Sequence, residues 1–83
     1  MRHAGAAALD ELEPFLEELR FLPGLTEKKR GIFYRGSHAF LHFHEDPSGP
    51  YADVRLGAEF ERCRVRTAAE RRTVLRRIAE ALR

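Results

Sequence analysis

The 83-residue chain contains one cysteine, one methionine, no tryptophan, and only two lysines beside thirteen arginines. A solitary Cys63 excludes an internal disulfide, a cysteine-rich zinc cluster and a redox pair, so it reads as a small buried hydrophobe. No apolar run approaches the roughly 20 residues that a membrane helix needs. Met1 to Ala8 is too short in hydrophobic length for a secretory signal, so a cytoplasmic protein with no membrane partner is expected. Internal repeats, low-complexity tracts and any signature that would name a reaction are also missing, and no cofactor is expected.

What is present is enough for one small domain. At 43% hydrophobic residues, a chain of this length buries only roughly 60% of the surface that its unfolded form exposes. A core that thin gains from a partner, and a second copy of the same chain is the simplest one, so a homodimer is expected. The net charge of +2 conceals an asymmetry. Residues 1–27 carry six acids and two bases; residues 28–83 carry seven acids and thirteen bases, a balance of +6. That bias suits an anionic partner. The competing reading is a solvated arginine-rich surface set by coding composition.

Residues 1–8 lack periodicity and are expected to be a flexible tail ahead of a single domain over residues 9–83. Leu9, Leu12, Leu16 and Leu19 recur at helical spacing, which predicts a helix from about Asp10, with a distortion at Pro14. Leu22-Pro23-Gly24 ends it, and Thr26 to Arg30 reads as a charged connector. Ile32 to Arg35 and His38 to Glu45 read as strands joined by a Gly36-Ser37 turn, in a register that sets Phe33 opposite Phe40. Tyr51 to Leu56 forms a third strand, and Glu61 to Arg66 a fourth. Thr67-Ala68-Ala69-Glu70 is a capping box opening a second helix, whose apolar stripe is Val74, Leu75, Ile78 and Leu82. The expected fold class is therefore α+β: helix, a three- to four-stranded antiparallel sheet, helix, with both helices packed on one face of the sheet.

The alternation then sorts chemistry onto the uncovered face. Arg35, His38, Phe40, His42, His44, Tyr51, Asp53, Arg55, Arg62, Arg64 and Arg66 collect there, with His44 facing Tyr51, His42 facing Asp53 and Phe40 facing Arg55. Basic groups interleaved with aromatics suit nucleic acid or another polyanion: Arg35, Arg55, Arg62 and Arg64 would neutralise phosphate, while Phe40, Tyr51 and, at one side of the face, Phe33 would stack on bases. The same aromatics would equally serve as the centre of a self-associating domain with no ligand. An enzymatic alternative is a small ribonuclease, with His38 or His42 moving protons and Arg55 or Arg62 holding phosphate. The third pattern is metal ligation. His42 and His44 lie about 6.7 Å apart along a strand, with Asp53 across the ladder, whereas His38 is about 13 Å from His42. For these residues the preferred reading is a His42–Asp53 hydrogen-bonded pair without a metal.

Leu22-Pro23-Gly24, Thr26-Glu27, Phe33, Gly36 and Ala39-Phe40 before an acidic turn resemble the first half of the MmcQ/YjbR-like family of small bacterial proteins. That resemblance spans Leu19 to Leu56 and implies DNA binding through a double-wing motif. Gly36-Ser37-His38 is similar to the Gly-Ser-His stretch that opens a strand in HicA-type toxins. Those are small RNA-cleaving proteins with a helix, three strands and a helix, and the likeness implies His38 as the catalytic residue.

Overall fold

A computed structural model describes all 83 residues. In chain order the elements are β1 (Arg2–His3), α1 (Ala6–Arg20), β2 (Thr26–Lys29), β3 (Ile32–Arg35), β4 (His38–Asp46), β5 (Gly49–Arg55), β6 (Phe60–Arg64) and α2 (Ala68–Ala81). The strands form one antiparallel sheet in the order β2-β3-β4-β5-β6, with β1 paired to the far end of β4 through Arg2–Glu45 and His3–His44. The sheet thus has six strands rather than the expected three to four.

Both additional strands lie where period-two patterning is absent. Residues 1–8, expected as a tail, supply β1 and the first turn of α1, which starts at Ala6 rather than near Asp10. Glu45 fixes this entry by accepting the Gly5 amide at 2.6 Å and pairing with Arg2 at 3.2 Å. β2 reads Thr-Glu-Lys-Lys, an all-polar edge strand expected as a connector. It is held by ion pairs instead of burial: Arg20 of α1 bonds Glu27 at 2.6 Å and also reaches Glu13, and Arg30 bonds Glu13 and Asp10. Polar edges of this kind also resist pairing with other chains. The β2–β3 turn needs Gly31, whose φ of +80° is paired with close packing, since a Cβ there would sit 2.7 Å from Leu9 Cδ2.

The core is a single cluster. Leu12, Phe15, Leu16 and Leu19 of α1 and Val74 and Ile78 of α2 pack with Phe33, Leu41, Phe43, Ala52, Val54 and Val65. Pro14 lies inside α1. The opening of α2 follows the capping box: the Thr67 hydroxyl accepts the Glu70 amide, and the Glu70 carboxylate accepts the Thr67 amide. That reciprocal pairing satisfies two amides that have no partner within the helix.

The first hairpin departs from its expected register. Arg35 is opposite His38 as expected, but Phe33 is opposite Leu41 and Tyr34 opposite Ala39, so β4 carries one extra residue at Phe40. A bulge of this kind places two successive side chains on the same side of the strand. Phe40 accordingly joins Leu41 in the core with 2% of its surface exposed. Beyond the bulge, alternation resumes, and β4 pairs β5 through His42–Asp53 and His44–Tyr51.

Candidate functional site on the uncovered sheet face

Three adjacent strands present a grid of polar and aromatic side chains opposite the core. β4 contributes His42 and His44, β5 contributes Tyr51, Asp53 and Arg55, and β6 contributes Phe60, Arg62 and Arg64. Cross-strand partners share a face, and the pairs are Tyr51–Arg64, Asp53–Arg62 and Arg55–Phe60.

Asp53 is the anchor of the grid. Only 7% of it is exposed. Arg62 grips both its oxygens, Nε to Oδ1 at 2.8 Å and Nη2 to Oδ2 at 2.9 Å. That two-pronged bond is the chief reason the carboxyl titrates below the ordinary aspartate range, outweighing burial, which pushes it upward. Oδ2 also lies 3.4 Å from His42 Nε2 and 3.0 Å from His44 Nδ1. The second contact is short in distance but is not a hydrogen bond, and His44 Nδ1 is buried and without a hydrogen-bond partner. His42 titrates below the ordinary imidazole range because burial disfavours its charged form, although the Asp53 charge pulls the other way. His3 of β1 stacks on the His44 ring at 4.6 Å between centroids and tilts against His42 at 5.9 Å. The Phe60 ring meets His42 edge-on at 5.3 Å.

Around this centre the cations sit over rings. The Arg55 guanidinium is 4.8 Å from the Phe60 ring centre and Arg64 is 6.0 Å from that of Tyr51. Arg55 also bonds the Ala58 carbonyl, and Tyr51 shares a 2.9 Å hydrogen bond with Ser48.

Among the expected phosphate and stacking residues, Tyr51, Arg55, Arg62 and Arg64 come together here. Phe33 and Phe40 do not: Phe33 is buried in the core, and the bulge turns Phe40 into it and removes both its stacking role and its pairing with Arg55. Arg35 bonds the Ala81 carbonyl at the end of α2 and is tied to the helix layer. His38 is exposed and borders a shallow cleft with Arg35 and Arg55, apart from the cluster around His42. Arg66 lies beyond the end of β6 and packs on Gly49. Phe60 and His3 were not anticipated. Phe60 was legible in the alternation Phe60, Arg62, Arg64 once that strand is begun one residue earlier. His3 stands in an alanine-rich stretch with no comparable signal.

No helix is long and apolar enough to cross a membrane. No protein-family model, curated protein or solved structure matches this chain, and a functional reading rests on the geometry of this face.

Proposed function

We propose that this protein is a non-enzymatic binding module that holds single-stranded nucleic acid on the uncovered face of its sheet. One observation carries the reading: on β5 and β6, Arg55 and Arg64 each lie over an aromatic ring, Phe60 and Tyr51. Guanidinium groups attract phosphate, and ring faces beside them stack with bases of any identity. The face holds three guanidiniums, of which Arg62 is taken up by Asp53 and Arg64 lies 3.5 Å from the Glu70 carboxylate at its edge, so Arg55 and Arg64 are the cations turned to a ligand. A platform of this kind needs no deep pocket, and its sequence preference is weak.

The direct test is fluorescence anisotropy of labelled single-stranded DNA and RNA at two salt concentrations, with mass by light scattering on the same samples. With about two phosphates neutralised, by Arg55 and Arg64, log K falls against log salt with a slope of about −1.4. The R55A/R64A double variant should lose most of the affinity while keeping its circular-dichroism spectrum. Binding that ignores salt, or that survives in the double variant, overturns the proposal. A dimer with no oligonucleotide affinity would favour the self-associating domain, and shortening of the RNA that stops in H38A would favour the ribonuclease.

A further inference from the structure

We propose that His42 Nε2, His44 Nδ1 and Asp53 Oδ2 form a binding site for one divalent transition-metal ion of the zinc class. The three donor atoms lie within 4.8 Å of one another. They come from two neighbouring strands whose pairing fixes their relative height, His42 opposite Asp53 and His44 one pleat further along.

The spacing itself points to an ion. With zinc–nitrogen and zinc–oxygen bonds of about 2.0–2.2 Å, two donors of a tetrahedral site stand about 3.3 Å apart, and each lies about 35° off the other's lone-pair axis, since both aim at the ion. The two separations to Asp53 Oδ2, 3.0 and 3.4 Å, bracket that edge length, while the widest spacing in the set is 4.8 Å, so the two imidazoles must rotate toward each other to close on the ion. The His44 ring nitrogen is within 3.0 Å of the carboxylate without forming a hydrogen bond to it, and it finds no other partner. A buried polar atom in that state is rare, because leaving it unpaired is costly. An ion seated between the three groups satisfies it.

The donor set fits the chemistry. Imidazole together with carboxylate suits zinc, copper, nickel or iron rather than magnesium or calcium, which take oxygen ligands. Arg62 Nε bonds Asp53 Oδ1, the position from which an outer partner orients a ligating carboxylate. Its Nη2 contact to Oδ2 yields to the ion, and the nearby positive charge makes binding weaker than at a closed structural site. With three protein ligands the fourth position is open to water, and His3 and Phe60 flank the site. The proposal stands independently of nucleic-acid binding.

The test uses the untagged 83-residue chain stripped with a chelator and titrated with zinc chloride by calorimetry, with magnesium and calcium chloride in parallel. One zinc per chain is expected, with no response to magnesium or calcium. H42A, H44A and D53N should each weaken binding by about tenfold or more, while H38A and C63S leave it unchanged. Should a ligand variant fail to fold, the wild-type protein still decides: zinc must shift the ring proton resonances of His42 and His44 and spare those of His38. Absence of saturable binding in the micromolar range overturns the proposal. So does binding that persists in H44A and D53N, or ring shifts confined to His38.

Discussion

Arg62 holds both oxygens of Asp53 across the β5–β6 ladder, at 2.8 and 2.9 Å, and so places a nearly buried carboxylate at the centre of an otherwise basic face. The pair fixes that face more than it strengthens it, since a half-exposed guanidinium gains little net energy from such a bond. Removing one partner is costly in a different way, because it leaves the Asp53 charge in a dry setting with no match. R62A should lower the melting temperature by several degrees. R62K should recover only part, since an ammonium cannot bridge both oxygens. D53N/R62A should melt above R62A alone, which differential scanning calorimetry would detect.

The bulge at Phe40 separates two roles that the sequence joins. As a core residue, Phe40 replaced by alanine should cost about 3–5 kcal/mol in chemical denaturation, in the range for deleting a buried aromatic ring. Phe60 sits on the exposed face and contacts Arg55 and His42. F60A should leave stability within about 0.5 kcal/mol, the usual range for surface sites, and weaken oligonucleotide affinity by about 1–3 kcal/mol.

Gly31 is constrained twice. A left-handed φ costs a residue with a Cβ about 1–2 kcal/mol, and here that Cβ would also strike Leu9 at 2.7 Å. G31A should therefore destabilise by more than the conformational cost alone. L9A should relieve the steric share when added to G31A and leave the remainder, a non-additivity that a double-mutant cycle measures.

The ion pairs that fasten β2 to α1 predict an acid sensitivity. Hydrogen bonds from Arg20 hold Glu27 below the ordinary glutamate value of 4.5, and those from Arg30 and then Arg20 do the same for Glu13. A carboxylate whose folded value is depressed contributes stability that is complete above its unfolded value. That contribution fades as pH falls through the folded one. Thermal stability should thus decline from just above pH 4.5 downward, and E27Q should flatten that decline while lowering stability at neutral pH.

The parts of this molecule that were legible in its sequence are those where one physical signal acts alone. The capping box at Thr67 to Glu70 satisfies its own backbone donors, and the β4–β5 pairing of His42 with Asp53 follows from a tight turn and strict alternation. What escaped depends on distant partners. β2 is a strand because Glu27 meets Arg20 from another element, and β1 exists because Glu45 receives the Gly5 amide. The bulge that buries Phe40 is an extra residue of β4 opposite the Phe33–Tyr34 step of β3, and no local pattern encodes it. The candidate site is correspondingly half visible: period-two reasoning places Asp53, His42, His44, Arg55, Arg62 and Arg64 on one face, while Arg35 belongs with the helix layer because its bond to Ala81 is set by the end of α2.

Amide chemical-shift mapping on the full chain tests the role of the uncovered face most directly. Adding a short single-stranded oligonucleotide should shift resonances of Tyr51, Arg55, Phe60, Arg62 and Arg64 and leave Leu12, Leu16 and Ile78 still. Shifts concentrated on α1 or α2, or none at saturating oligonucleotide, would contradict it.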